Sequence, residues 1–283
     1  MKNNIFNLLG SLIAFYIPVQ IAYLTGSETV LQAVILAFII QWVCFIPAYL
    51  LQTEKFYDLT GSVTYLTLVL YTLFSTSSLG YASVIVCACV SVWAIRLGSF
   101  LFFRIKKDGE DKRFRTIKPN FTRFFMTWTL QGTWVTMCLL CVITALSSAG
   151  GLIEGGGFYV GLIVFIVGFA LEITADMQKT KFRKDSKNKN NFISSGLWAK
   201  SRHPNYLGEL ILWVGIAIMS LQSLEGLQYI TLISPLFVYI LLVYISGVRM
   251  LEDQGEKKWG HLEEYNNYIN KTPQLFISLK DIF

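Results

Sequence analysis

The sequence predicts an all-α protein, a polytopic membrane helical bundle of about eight transmembrane helices with cytoplasmic termini. Of its 283 residues, 54% are hydrophobic and only 15% are charged, whereas soluble domains carry about 25% charged residues. Apolar runs of about 20 residues, the length a helix needs to cross a bilayer, recur along the whole chain. These observations predict a single integral membrane domain over residues 1–283.

Each predicted helix is an apolar stretch bounded by polar or turn-forming residues. The first stretch lacks a small-residue cleavage site, which indicates an anchor and not a signal peptide. The first four helices and a basic loop form an N-terminal section, 1–123, and residues 124–283 form a C-terminal section with most of the polar intramembrane residues. The predicted spans are Ile5–Leu24, Val30–Leu51, Leu59–Ser78, Leu79–Phe103, Phe124–Leu146, Leu152–Ala175, Tyr206–Leu221 and Tyr229–Val248.

The distribution of basic residues orients the bundle. The loops around Glu28, Ser77, Glu154 and Glu225 contain no Lys or Arg, and all 24 basic residues are assigned to the other side. The positive-inside rule therefore predicts cytoplasmic termini in a multi-pass protein of a bacterial inner membrane, or of the endoplasmic reticulum in a eukaryote. Because the net charge follows from this topology, it says little about nucleic acid. The expected partners are membrane lipids, and no nucleic acid is expected. No obligatory protein partner is evident.

The segment Ser201–Glu209 places polar groups at the mouth of an apolar helix. Pro204 suits the first position of a helix, which makes His203 the predicted N-cap. The helical repeat then puts His203, Tyr206, Glu209 and Trp213 on one face. Polar side chains at membrane depth are costly, so they predict a functional site more strongly than an interfacial helix start.

This helix start also has the features of an anion-binding site. Its free backbone N–H groups and positive dipole end lie beside Lys200 and Arg202. Snorkelling at the membrane surface explains those two cations but does not explain Asn205 and Glu209.

A second group of charged residues follows the preceding helix. Glu172, Asp176, Lys179 and Arg183 are spaced by four, three and four residues, which places them on one helix face. They either pair as salt bridges or form a ligand site, in which the carboxylates accept hydrogen bonds from ribose or amide groups and the cations hold phosphates.

Three further features have structural as well as functional explanations. Asp58 either caps a helix or acts in a site, and Arg96 either snorkels or pairs with a buried carboxylate. The amphipathic tail from Leu251 to Tyr268 is expected to cap the site. The chain has only two histidines, and its five cysteines all lie in apolar spans. These residues do not form a metal-ligand pattern, so no metal site is predicted.

Several of these motifs resemble one family. Gly196-Leu-Trp198, Ser201–Glu209, Glu172-x-x-x-Asp176 and Ser246–Glu252 are similar to those of the steroid 5-alpha-reductase superfamily, in particular its bacterial branch of uncharacterised membrane proteins. Asp58-x-x-Gly-Ser62, Arg96-Leu-Gly98 and Arg104…Asp111 extend the resemblance over most of the chain.

The resemblance implies an NADPH-dependent reductase of an activated carbon–carbon double bond in a steroid-like or other lipid substrate. It implies cofactor binding by polar residues of the C-terminal section, and Lys179, Trp198 and His203 complete this predicted site. The residues it implies are Glu172, Asp176, Arg183, Arg202, Asn205, Tyr206 and Glu209. The phosphate-holding cations predict a preference for NADPH over NADH.

One position departs from the family pattern. The steroid enzymes place a tyrosine, the proposed proton donor, three residues before the arginine that Arg96 resembles, and here that position is Trp93. Asp58, which stands where those enzymes keep a glutamate, is the preferred acid, with Tyr65 as the competing donor. Tyr65 or Arg96 would polarise the substrate.

Two other functions remain open from the sequence. The pattern Arg202-His-Pro-x-Tyr206 with Glu252 and Tyr265 also resembles the isoprenylcysteine carboxyl methyltransferases, which use S-adenosylmethionine. A non-catalytic membrane lipid-binding or scaffold protein is the third possibility, and the identity of the cofactor separates all three.

Overall fold

A computed structural model describes residues 2–76 and 80–276, and within them the chain is all helical, which confirms the predicted fold class. The helices are connected by short turns and by two longer loops, at residues 109–120 and 185–203. Of the residues used to orient the bundle, Ser77 and Lys280 lie outside the described residues. The helices are α1 (Lys2–Leu24), α2 (Glu28–Leu50), α3 (Tyr57–Ser75), α4 (Tyr81–Asp108), α5 (Phe121–Leu146), α6 (Gly156–Lys184), α7 (Pro204–Ser220), α8 (Ser234–Ile240), α9 (Val248–Trp259) and α10 (Glu263–Lys271).

Within the described residues, seven segments are long and apolar enough to cross a membrane, one fewer than the sequence predicted. The difference is the third predicted span, Leu59–Ser78. Its counterpart α3 is helical, but its threonines, tyrosines and Asp58 make it less apolar than the seven. Large apolar side chains on the outer helices, such as Phe6 and Leu50, are more than 70% exposed, as expected where lipid is the solvent.

The described residues fall into two compact units. The first comprises Met1–Tyr159 and Ala217–Ser234, and the second comprises Val160–Ile216 and Pro235–Phe283. In the first unit, α5 packs against α1, α2 and α3, and its last three turns are almost completely buried. Although α5 belongs to the C-terminal section of the sequence, it therefore forms the core of the N-terminal helices.

The first basic loop is folded onto this unit. Glu54 is buried, accepts a hydrogen bond from the Asp111 backbone N–H at 2.9 Å, and forms an ion pair with Lys118. Phe114 from the same loop packs into an aromatic cluster with Phe45 and Trp128. These contacts hold the loop beside the start of α3.

In the second unit, α6 and α7 meet backbone to backbone. A Cβ atom added at Gly168 would lie 2.4 Å from the Leu212 nitrogen, and one at Gly208 would lie 2.5 Å from the Glu172 nitrogen. A Cβ added at Gly215 would lie 2.5 Å from the Phe165 nitrogen. Small residues allow such close helix packing in membranes, and here they bring Glu172 next to the first turns of α7.

The last predicted span, Tyr229–Val248, is not one regular helix. A 3₁₀ segment, Gly226–Ile233, leads into α8, and a π turn, Leu241–Ile245, leads towards α9. A Cβ at Gly247 would lie 2.2 Å from the Leu242 carbonyl oxygen and 3.0 Å from the Tyr206 ring. The interruption between α8 and α9 therefore requires glycine at position 247. The missing side chain also leaves room for the Tyr206 ring beside the start of α9.

Candidate cofactor site

The polar segment before α7 is buried in the second unit. The helix begins at Pro204, as the sequence predicted, and His203 immediately before it is 6% exposed. The imidazole ring stacks on Tyr206, with ring centroids 5.8 Å apart and planes 9° from parallel. The first two residues of the predicted polar face, His203 and Tyr206, are therefore packed against each other.

Glu252 on α9 fastens this segment to the tail. Its Oε1 lies 3.2 Å from His203 Nε2 and 3.2 Å from an Arg202 guanidinium nitrogen. Its Oε2 accepts a hydrogen bond from Gln274 at 2.8 Å. One carboxylate thus fixes two predicted cofactor residues and the chain after α10.

Backbone contacts hold the tail in the same place. The Arg202 N–H donates to the Pro273 carbonyl at 2.9 Å, and the Ser201 hydroxyl donates to the Leu275 carbonyl at 2.8 Å. The Tyr268 hydroxyl donates to the Trp198 carbonyl, also at 2.8 Å. The tail that the sequence predicted as a cap is therefore hydrogen-bonded to the loop before α7.

These elements line an open cavity of about 230 Å³ in the second unit. The end of α6, the 185–203 loop, α9 and α10 each contribute to its walls. The residues that line it are Lys179, Phe182, Arg183, Asn191, Phe192, Ile193, Trp198, Arg202, His203, Leu251, Glu252, Gln254, Gly255, Lys258, Trp259, Tyr265, Tyr268 and Ile269.

The charge of the cavity wall is strongly positive. Lys179, Arg183, Arg202 and Lys258 line it, against the single carboxylate of Glu252. Excess cations around a concave site raise the local concentration of anions. Guanidinium and ammonium groups are also the side chains that hold phosphate oxygens. The donor set therefore suits a phosphorylated ligand.

Aromatic rings form the rest of the wall. Phe192 lies 5.1 Å from Tyr265 and 5.4 Å from Tyr268, measured between ring centroids. Trp259 lies 5.9 Å from Phe192 and from Tyr265. Such rings offer flat surfaces on which the π face of a nucleobase can stack.

Two polar atoms of the site are buried without a hydrogen-bond partner among the described residues, namely Arg202 Nε and His203 Nδ1. Burial lowers the pKa of the His203 imidazole, and the nearby Glu252 carboxylate opposes that change. The imidazole is therefore neutral at pH 7. Unpartnered buried polar groups are costly, so these two atoms indicate that the segment is built to bind something.

The ten predicted cofactor residues divide into two groups. Lys179, Arg183, Trp198, Arg202 and His203 line the cavity. The others lie along α6 and α7, where Glu172 is 3% exposed and Glu209 is 7% exposed. This second group, outside the cavity wall, consists of Glu172, Asp176, Asn205, Tyr206 and Glu209.

The three predicted catalytic residues belong to the first unit. Asp58 is half-buried at the start of α3, where burial raises the pKa of its carboxyl and the positive charges of Arg104 and Arg113 oppose that change. Arg96 on α4 lies over the Phe100 ring, with its Cζ 5.9 Å from the centroid.

Tyr65 is buried deeper along α3 and meets Trp93 edge to face. Their ring centroids are 5.1 Å apart, with an interplanar angle of 85°. The phenol of Tyr65 thus lies beside the position where the family resemblance leads one to expect a tyrosine.

Sequence reasoning missed several residues of the cavity. Asn191 and Phe192 belong to the loop before α7 and Trp259 to the amphipathic tail, and the sequence singled out none of the three. The Trp259 indole donates to the Asn190 carbonyl at 2.5 Å, which holds the loop against α9. The interleaving of aromatic residues with lysines was the one signal in the sequence that could have identified them.

Comparison with known proteins places most of the chain in one family. Residues 44–272 match the family described as "Protein of unknown function (DUF1295)". The matched range includes α3 to α10 and every residue that lines the cavity.

Two curated proteins are similar over shorter stretches. A probable O-methyltransferase, ustE of Ustilaginoidea virens, is 30% identical over 116 residues, which is 36% of this chain and 41% of that protein. The steroid 5-alpha-reductase DET2 of Arabidopsis thaliana is 33% identical over 63 residues, 22% of this chain and 24% of that protein. The chain thus spans less than half the length of these relatives, and no solved structure matches it.

Proposed function

Because the chain belongs to this family of unknown function, its activity has to be argued from the site, and we propose that it is an NADPH-dependent membrane reductase. The proposed substrate is a carbon–carbon double bond in a steroid-like or other lipid. The similarity to a steroid 5-alpha-reductase supports this class of reaction, and the seven candidate membrane spans suit an apolar substrate that enters from the lipid.

The observation that carries the proposal is the charge of the cavity. Four cations against one carboxylate favour a ligand with several phosphate charges. NADPH bears three phosphate groups, whereas S-adenosylmethionine bears a sulfonium cation that such a wall would repel. The unpartnered Arg202 Nε provides a further donor for an anionic ligand.

The size of the cavity indicates which part of the ligand it would hold. Pockets for whole small molecules usually measure about 300–1,000 Å³, and this one is smaller, at about 230 Å³. It therefore suits one phosphorylated nucleotide half of a dinucleotide. In the proposed function, the other half lies along the polar residues of α6 and α7, including Glu172 and Glu209.

The residues of this chain would bind and orient the cofactor, which when bound supplies the hydride. Lys179, Arg183, Arg202 and Lys258 would hold phosphates, and Phe192, Tyr265 or Trp259 would stack on a base. Glu252 keeps Arg202 and His203 in place through its two 3.2 Å contacts.

We assign the proton donor to Tyr65. Its phenol is buried against Trp93, at the position that lacks the family's tyrosine. Asp58 lies two turns earlier on α3, where burial raises the pKa of its carboxyl and the charges of Arg104 and Arg113 oppose that change, so it is the alternative acid. A phenol also keeps its proton at pH 7 without any shift, so Tyr65 is available as an acid.

The second candidate function is an S-adenosylmethionine-dependent O-methyltransferase. The 30% identity with ustE favours it. The two activities differ in the group transferred, so isotope transfer separates them.

The test is an incubation of the purified protein with lipids extracted from its own membrane and NADPH deuterated at the transferable position. The proposal predicts a lipid product that carries one deuterium and is heavier by one deuterium and one proton. A product labelled only when methyl-labelled S-adenosylmethionine replaces NADPH would establish the methyltransferase instead.

A further inference from the structure

Two lysines of the cavity are held on the faces of two tryptophans. Lys179 Nζ lies 4.3 Å from the centroid of the Trp198 ring, and Lys258 Nζ lies 4.6 Å from that of Trp259. All four side chains line the cavity. Both distances are well within the ~6 Å at which an ammonium group is attracted by an aromatic face.

The tryptophans are themselves fixed. The Trp198 side chain is buried at 3% exposure and donates its indole N–H to the Ala175 carbonyl at 3.1 Å. The Trp259 indole donates to the Asn190 carbonyl. Each ring therefore has one set orientation, and the lysine lying on it loses less conformational freedom when it binds an anion.

The indole beneath each ammonium group is neutral, so the ring itself does not cancel the positive charge. Lys258 forms no ion pair within the part of the chain that the structure describes. A lysine that only snorkels at a membrane surface needs no fixed aromatic support and does not line a cavity. Two such supported charges, one on α6 and one on α9, are better explained by two separate anionic groups on one ligand.

We propose that Lys179 and Lys258 recognise two different phosphate groups of the bound nucleotide, and that together they select a dinucleotide with an additional ribose phosphate. Trp198 and Trp259 act as positioning residues for these two lysines. The proposal rests on the proposed function, since it concerns the same cavity, and it specifies which residues distinguish NADPH from NADH.

The experiment measures the affinity of purified full-length protein for NADP⁺ and NAD⁺, which share the pyrophosphate and differ in the ribose phosphate. The variants are Lys179→Met and Lys258→Met. One of them is expected to weaken NADP⁺ binding by about tenfold or more while leaving NAD⁺ affinity unchanged, as for the loss of a charge-assisted phosphate contact. The other, at the pyrophosphate, is expected to weaken both ligands by a similar factor.

Lys257→Met is the matched control. Lys257 precedes Lys258 on α9, is exposed, and does not line the cavity, so the variant changes the net charge equally. It should leave both affinities within about twofold, since its ammonium group does not belong to the cavity wall. Trp259→Leu should change the NADP⁺ and NAD⁺ affinities in the same pattern as Lys258→Met if the ring positions that lysine.

The outcomes separate the two proposals. If the wild-type protein binds neither dinucleotide, the proposed function fails. If it binds both equally well, or if both lysine variants behave like Lys257→Met, dinucleotide binding stands and the assignment of the two lysines is overturned.

Discussion

Glu209 shows how a single residue can report on the site. It lies in the second turn of α7 with 7% of its surface exposed, and a carboxylate at this depth is costly unless it is paired or binds a ligand. We expect Glu209→Gln to weaken NADPH binding by about 1.5–3 kcal/mol, the scale of a hydrogen bond to a charged group. Calorimetric titration of the folded variant measures this, and an unchanged affinity would remove Glu209 from the site.

His203 predicts how the stability of the protein depends on pH. Burial lowers the pKa of its imidazole in the folded state below the value of about 6.5 expected when unfolded. The resulting stability is fully present above pH 6.5 and is lost as the pH falls through the lower, folded-state pKa.

Thermal unfolding in detergent between pH 7.5 and 5 tests this expectation. His203→Gln can retain a contact with Glu252 but cannot titrate, so it should lose less stability on acidification than the wild type. Equal losses in both proteins would mean that another group sets the pH dependence.

At the scale of elements, the contact between α6 and α7 should tolerate no added side chain. Gly168→Ala places a Cβ 2.4 Å from the Leu212 nitrogen, so the helices must separate. Overpacking of this kind costs about 1–3 kcal/mol. Gly156→Ala is the control. Gly156 belongs to the same helix, and a Cβ added there meets nothing within 4 Å. A melting temperature lowered only in the first variant is expected, and equal melting temperatures would contradict the close packing.

The helix α3 carries both candidate proton donors, and their roles can be separated. In the deuterium-transfer assay, Tyr65→Phe should lower the turnover number by the roughly 10²-fold typical of a lost general acid. NADPH affinity should stay unchanged, because the cofactor candidates lie in the second unit. Asp58→Asn should retain most activity. Loss of activity in Asp58→Asn alone would transfer the role of acid to the carboxyl.

The elements also show what sequence patterns can and cannot predict. Helix α7 was predictable in its start and in its polar face, because Pro204 and the 3.6-residue repeat are local signals. The close approach at Gly168 and Gly208 was not, since the pairing of two helices depends on both surfaces at once. Likewise the contact between Phe192 and Trp259 joins residues that are far apart in the sequence, so no local pattern predicts it.

For the whole molecule, the central prediction from the sequence is its orientation. Every basic residue was assigned to the cytoplasmic side, which puts Ser186 inside the cell and Glu225 outside. Both positions are exposed. In a cysteine-free background, an impermeant thiol reagent added to intact cells should label Glu225→Cys and not Ser186→Cys. The reverse pattern would place the cavity on the outer side, away from cytoplasmic NADPH.

The class of ligand that the protein binds distinguishes a reductase from a methyltransferase. The most direct measurement is a calorimetric titration of the purified protein with NADPH and, separately, with S-adenosylmethionine. The positive cavity formed by Lys179, Arg183, Arg202 and Lys258 predicts saturable binding of NADPH and none of S-adenosylmethionine. Saturable binding of S-adenosylmethionine without binding of NADPH would contradict the proposed reductase.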